Sequence, residues 1–304
     1  MRQQPIHLSS GNLLADRRYQ WARELEGKGD LAGAADLLTQ SLELAPGYAS
    51  AWFALGEVRD KLGQRDAAIA AFEKACEADP PDRHGACLHL IRLGAAASKA
   101  MPECYVRALF DGYAPAFDLA LTEGLAYRAP ELLLRAVEAA RPAMKFGTAL
   151  DLGCGTGLAG AAFRPFADWL VGVDLSPEML ARARGKGLYD RLVEDDVLRF
   201  LTEEKGNAAR YHLVIAADVF VYINDLAPVM RLATPVFDGL IAFSVETHAG
   251  DGVVLRDTLR YAHGAAHVRA ALRSAGLKLI SIDSVSTRTE KGIAVPGLTV
   301  LAGN

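Results

Sequence analysis

An excess of positive charge is missing from this sequence. Its 304 residues carry 33 Lys and Arg against 37 Asp and Glu, a formal net charge of −4. No overall basic field is present to hold nucleic acid or an anionic membrane surface. Long apolar runs are also missing. No stretch approaches the roughly 20 uncharged apolar residues that a membrane span requires. Met1–Leu14 lacks an apolar run of signal-peptide length, so the expected location is the cytoplasm. Cysteine is scarce: Cys76, Cys87, Cys104 and Cys154 are the whole set, and none forms a C-x-x-C pair. The spacing signatures of zinc sites and dithiol redox motifs are therefore absent, and no metal is expected. What remains is an ordinary globular composition, 51% hydrophobic and 23% charged, with room for a large domain and a smaller one.

The first hundred residues repeat. Gly29, Ala34, Leu38, Ser41 and Pro46 recur as Gly63, Ala68, Phe72, Ala75 and Pro80, each pair 34 positions apart. Small residues at Ala68 and Ala75 allow two antiparallel helices to approach closely, and Trp52, Leu55 and Phe72 fill the space between them. Pro46 and Pro80 stop the second helix of each unit. The pattern, with Trp52, Leu55 and Gly56 in the second unit, resembles the tetratricopeptide repeat. Residues 83–94 read as the first helix of a third, incomplete unit, giving about two and a half repeats. Because about three repeats are usually needed to bury a continuous core, following helices or a second domain are expected to cap them. The domain boundary is placed at residue 100: an all-α repeat module over 1–100 and a second domain over 101–304.

Helical stretches at 103–117 and 130–141 lead into alternating strands and helices. β-rich apolar runs occur at Thr148–Leu152, Trp169–Val173, His212–Ala216, Leu240–Val245, Leu277–Ile282 and Gly297–Leu301, with a weaker one at Leu192–Val193. That order predicts an α/β domain with a mostly parallel sheet covered on both faces. The last two strands are joined by a polar, turn-rich stretch without a helix, Ser284–Gly292, so they are expected to pair antiparallel.

One loop carries chemistry. Asp151-Leu152-Gly153-Cys154-Gly155-Thr156-Gly157 ends a strand and opens a helix, and its glycines let the backbone turn sharply against a ligand. Ligands in such sheets bind beyond the carboxyl ends of the strands. Gly155, Gly157 and Gly160 alone satisfy the dinucleotide pattern G-x-G-x-x-G, with Asp174 following, which keeps an NAD-dependent dehydrogenase in view. The full string from Asp151 to Gly157 resembles motif I of class I methyltransferases. Gly172-Val173-Asp174-Leu175-Ser176, Asp195-Asp196-Val197 and His212–Asp218 resemble, in order, the later motifs of that family. The resemblance implies a Rossmann-like seven-stranded sheet with an antiparallel last strand, S-adenosylmethionine as cofactor and S-adenosylhomocysteine as product. It implies that Asp174 binds the ribose diol, which suits a carboxylate. Asp196 and the Val197 N–H would read the adenine, Leu175 and Met179 would flank it, and Asp151 would attract the ammonium. Gly153, Gly155 and Gly157 would lie along the methionine portion, and Ala217 and Asp218 beside the reactive methyl. Asp196 also reads as a helix cap, and both roles are compatible. Cys154 reads as a small residue fitting the turn.

Phe110–Asp118 and Leu125–Leu132 resemble the lid region of small-molecule methyltransferases, in particular a group that carries tetratricopeptide repeats. That implies that Tyr113 closes over the cofactor and Arg128 meets its carboxylate, although Tyr113 and Phe117 also fit core aromatics at helical spacing. His263, in Arg260-Tyr261-Ala262-His263, is a candidate base at the acceptor mouth. Its alternative is a helix cap or a backbone contact. Tyr222 is a second catalytic candidate, and Glu246 and His248 follow the fifth strand. The sulfonium methyl is already electrophilic, so the expected mechanism is direct in-line transfer to an unidentified acceptor, expected to be a small molecule. A protein side chain as acceptor remains open. So does a scaffold that binds a protein partner, or itself, through its repeats.

Overall fold

The structure is a computed structural model that describes residues 8–304 apart from Met144 and Ala209; the side chains of Thr122 and Glu123 are also outside the description. The leader expectation therefore falls partly on residues outside the described ones. The chain divides into two compact units, one ending at Ala108 and the other running from Leu109 to Asn304.

In the first unit, α1 (Leu13–Lys28) and α2 (Leu31–Leu44) form one antiparallel pair, and α3 (Ala49–Lys61) and α4 (Arg65–Ala78) form the next. Asn12 caps α1 and Asp30 caps α2 through side-chain oxygens. Gly29 and Gly63 take the left-handed conformation that lets the chain turn back after each first helix. The 34-residue register is visible in burial: Ala34, Ala68, Leu38, Phe72, Ser41 and Ala75 are all buried. Gly56 is required by Phe72, whose ring atoms would lie 2.6 Å from a Cβ at that position. A short helix, α5 (Ala86–Arg92), follows where the incomplete third unit is expected. Tyr105, in α6 (Glu103–Tyr113), packs against Gly85.

The second unit continues through a single turn, α7 (Phe117–Leu119), and α8 (Ala129–Ala140) into the sheet. Its strands are β1 (Phe146–Leu152), β2 (Ala167–Asp174), β3 (Arg191–Glu194), β4 (Tyr211–Ala216), β5 (Phe237–Glu246), β6 (Val253–Leu255), β7 (Tyr261–His263), β8 (Lys278–Val285), β9 (Thr289–Glu290), β10 (Ile293–Ala294) and β11 (Gly297–Gly303). The main order is β3-β2-β1-β4-β5-β11-β8. From β3 to β5 every pairing is parallel, and β11 lies antiparallel between β5 and β8. The connecting helices are α9 (Leu158–Phe163), α10 (Pro177–Lys186), α11 (Val197–Gly206), α12 (Leu226–Ala233) and α13 (Ala265–Ser274).

Side chains alternate across the sheet, so β1, β4, β5 and β11 each supply two cores. Leu150, Val214, Ile241 and Val300 pack with Phe200, Leu201, Met230 and Leu272 on one face. Ala149, Leu213, Ile215 and Leu301 pack with Leu133, Val137 and Phe163 on the other. This is the Rossmann-like α/β sheet expected, with its carboxyl ends gathered where order reverses between β1 and β4. The short β6, β7, β9 and β10 were not foreseen. They lie off the main path of the sheet or in a separate hairpin.

Candidate active site

The turn after β1 is built from backbone. Gly153 and Gly155 have φ of 63° and 55°, and a Cβ on Gly153 would sit 2.5 Å from Val219. Only glycine fits there without displacing the loop that follows β4. The Cys154 N–H donates to the Val173 carbonyl at 2.9 Å, tying the loop to β2. Asp174 completes the tie: its carboxylate accepts from the Gly155 N–H at 2.8 Å and the Ser176 N–H at 2.9 Å. Burial pushes its carboxyl up, against those backbone donors, and the nearby Asp111 adds to the rise.

Asp151 lies beneath the same turn. Its Oδ2 accepts from the Tyr189 hydroxyl at 2.6 Å, while Oδ1 is buried with no hydrogen-bond partner among the described residues. Burial pushes this carboxyl up to about 7, aided by the like charge of Asp174 and opposed by Tyr189. A buried acceptor held next to a glycine cradle fits a ligand with a cationic donor at this end. Asp196 caps α11, its Oδ1 accepting from the Leu198 and Arg199 N–H groups, and Asp195 pairs with Arg199 at 2.8 Å. Leu175 and Val197 are half-buried beside these groups. Met179 is not at the surface of the site: it is fully buried in α10 with Leu180 and Ala183. Ser176 Oγ accepts from the Met179 N–H as the cap of α10, and the burial of the Met179 side chain corrects the expected adenine contact.

The lid segment reaches this end of the sheet. Asp111 accepts from the Ser176 hydroxyl, and Asp118 accepts from the Thr156 hydroxyl and pairs with Lys186 at 2.6 Å. From the lid segment it is Phe117, rather than Tyr113, that comes next to the glycine turn, 3.8 Å from a Cβ built on Gly155. The Tyr113 phenol is pushed up by burial, then by neighbouring Tyr222, with Arg260 opposing. It therefore belongs to the β4 and β5 side. Arg128 is half exposed and paired with Glu131 at 3.2 Å. Its N–H donates to the Thr287 carbonyl. The structure places its guanidinium on that pair and not on the glycine turn.

Beyond β4 and β5 the site is ionic. Asp218 has φ of 56°; its N–H donates to Ser244 Oγ at 2.8 Å, and its carboxylate accepts from Ser244 and from Arg288 at 2.9 Å. Ala217, just before it, is half-buried. Arg288, itself buried, also pairs with the buried Glu246 and, at 3.3 Å, with Glu290. Arg260 pairs with Glu290 at 2.7 Å and donates to the Tyr222 hydroxyl at 3.3 Å; Arg256 stands 3.6 Å from Glu246. Tyr222 packs edge-on against Phe110. Desolvation, then Asp218 and Asp151, push up the phenol of Tyr127. Sequence reasoning missed Arg288, Glu290 and Tyr127, because the stretch around Arg288 reads only as a polar connection.

His263 occupies none of this. It is fully buried on β7, its Nε2 meets the Phe220 carbonyl at 3.1 Å, and its ring stacks with His267. Burial first, and His267 after it, lower its pKa to about 4. The expected base at the acceptor mouth is thus corrected to a neutral core histidine with a backbone contact. His248 is likewise taken up locally, with Gly250 and Gly252.

Comparison with known proteins agrees with this geometry. The methyltransferase domain family matches residues 150–237, which span the glycine turn, Asp174, Asp196 and Asp218. Over that stretch the chain is similar to methyltransferase domains. The tetratricopeptide repeat family matches residues 19–83. Human methyltransferase-like protein 27 is 38% identical over 111 residues, which are 36% of this chain and 45% of that protein. The match therefore spans under half of the human protein's length. Magnesium protoporphyrin IX methyltransferase from Synechocystis, solved with bound S-adenosylhomocysteine, superposes with a TM-score of 0.50 at 16% identity, over 66% of this chain and 98% of that one. An S-adenosylmethionine-dependent methyltransferase from Clostridium acetobutylicum gives 0.47 at 18%, over 64% and 99%. At 16% identity the Synechocystis superposition speaks for the fold alone. Among the described residues, no helix is long and apolar enough to cross a membrane.

Proposed function

We propose that this chain transfers a methyl group from S-adenosylmethionine to a small-molecule acceptor and releases S-adenosylhomocysteine. The observation that carries the reading is the junction at the ends of β1 and β2, where the Asp174 carboxylate is held by the Gly155 and Ser176 N–H groups over a left-handed glycine turn. A carboxylate fixed in that way can accept from both hydroxyls of a ribose. In this reading Gly153, Gly155 and Gly157 let the backbone approach the methionine portion, and Asp151 Oδ1 accepts from its ammonium. Asp196, the Val197 N–H and Leu175 hold the adenine. The cofactor supplies an activated methyl; the chain's own work is to orient the acceptor and exclude water. Phe117 and the lid carboxylates Asp111 and Asp118 close the site on the glycine side.

Tyr222 and Tyr113, beside Arg260, are the groups proposed to line the acceptor side with Ala217 and Asp218. Tyr222 is retained as the candidate catalytic residue and His263 is not. Labelled methyl transfer from the cofactor into fractionated cell extract tests the reading: label in the small-molecule fraction supports it, and label confined to protein contradicts it. That second outcome is favoured by one observation, the repeats over 19–83, since stacked helical pairs commonly bind peptides or partner proteins. The proposed location remains the cytoplasm.

A further inference from the structure

Cys76 and Cys87 hold none of the signature positions of the repeats, yet their sulfurs are 2.9 Å apart. Cys76 lies near the end of α4 and Cys87 in the first turn of α5. The 2.9 Å separation is closer than two sulfurs held by one tetrahedral zinc, which stand about 3.7 Å apart when each Zn–S bond is about 2.3 Å. The third polar group in the cluster is Asp82, with a ligand atom within 4.8 Å of both sulfurs. Its carboxylate is already engaged, accepting from the Ala86 N–H at 2.6 Å and the Cys87 N–H at 3.1 Å, as the cap of α5. Asp82 holds the left-handed backbone conformation that brings this cap into place, with φ of 55°. The capping turn therefore fixes the start of α5 so that one thiol rests on the other.

We propose that Cys76 and Cys87 are a redox pair that closes to an internal disulfide, bracing the second helix of the second repeat to α5. With oxidised glutathione as the oxidant, the thiolate of one cysteine attacks a glutathione sulfur. The glutathione S–S bond breaks, one glutathione thiolate leaves and takes up a proton, and a mixed disulfide remains. The second cysteine gives up its proton and attacks the protein-side sulfur of that mixed disulfide. The S–S bond between Cys76 and Cys87 forms as the second glutathione leaves. Two protein thiols are oxidised and one glutathione disulfide is reduced to two thiols. Both cysteines are half-buried, and burial raises both thiols above their ordinary range, so the reduced pair persists in a reducing buffer and closes slowly. The pairing is outside the C-x-x-C grammar, which is why spacing alone gave no sign of it.

The test uses the full-length chain equilibrated in glutathione buffers of increasing oxidised fraction, then alkylated, digested with trypsin and weighed. The expected product is the peptide covering residues 75–83 joined to the peptide covering 84–92, lighter by about 2 Da than the two reduced peptides together. Cys104 and Cys154 are expected to remain outside that link. In Cys87→Ser the reaction is expected to stop at a glutathione adduct on Cys76. Three results overturn the proposal: glutathione adducts that persist on the pair in the parent protein, no link between these two peptides under fully oxidising conditions, or zinc retained at one equivalent that protects both thiols of the reduced protein from alkylation.

Discussion

At the ends of β1 and β2, the Asp174 carboxylate is held by backbone N–H groups; at the ends of β4 and β5, the Asp218 and Glu246 carboxylates are held by a guanidinium. The first arrangement sets a carboxylate beside a glycine turn, suited to a ligand that arrives with its own donors. The second is self-compensated: three carboxylates, Asp218, Glu246 and Glu290, share Arg256, Arg260 and Arg288. The difference teaches that the two halves of one site do different work. In the proposed reading the glycine half takes the cofactor, while the ionic half ties Asp218 and Tyr222 to the arginines.

Breaking each half separately sharpens this comparison. The largest effect is expected on the ionic side. Arg288→Leu takes from Asp218 its only ion-pair partner among the described residues and from the buried Glu246 the nearest of three cations, and should cost about 3–5 kcal/mol of stability, read as a drop in Tm. On the glycine side, Asp174→Ala should weaken cofactor binding by about 100-fold or more with a much smaller change in Tm, since two hydrogen bonds to a charged group are removed. Calorimetric affinities alongside melting curves check both.

A third test lies in the repeats. Gly56→Ala drives a Cβ into the Phe72 ring and should destabilise the protein by about 1–3 kcal/mol while leaving cofactor affinity unchanged. The fourth concerns pH. Asp151 titrates near 7 when folded and near its ordinary 3.8 when unfolded, so between those values the folded state holds the extra proton. Its contribution to stability is therefore most favourable below pH 4 and is lost as pH rises to about 7. Denaturant unfolding of Asp151→Asn should show a flatter profile than the parent across that window. The smallest effect is expected for Tyr222→Phe, which removes one long hydrogen bond from Arg260 and should shift stability by under about 1 kcal/mol. A turnover loss in that variant would mark its hydroxyl as part of the chemistry.

The same division explains what the sequence disclosed. The 34-residue repeat is local and returns as buried Ala34 and Ala68, Leu38 and Phe72. The seven main strands follow from apolar runs, and the antiparallel β8 and β11 from a connection lacking a helix. The glycine turn is contiguous, so its motif is visible in one run, Asp151 to Gly157. The ionic half is not: Asp218, Glu246, Arg260 and Arg288 come from four separate stretches of the chain, Arg260 beside β7, which pairs with β5, and Arg288 in the connection between β8 and β11. His263 and Met179 were misplaced for a related reason. Both sit near site loops in sequence, but β7 is buried along its whole length and Met179 is buried in α10.

The central claim is that the β1 and β2 ends form a cofactor site. Calorimetric titration of the full-length protein with S-adenosylmethionine and S-adenosylhomocysteine tests it most directly. Saturable binding of both near one per chain, lost in Asp174→Ala, is the predicted result. A folded parent protein that binds neither, or an Asp174→Ala variant that binds as the parent does, would contradict it.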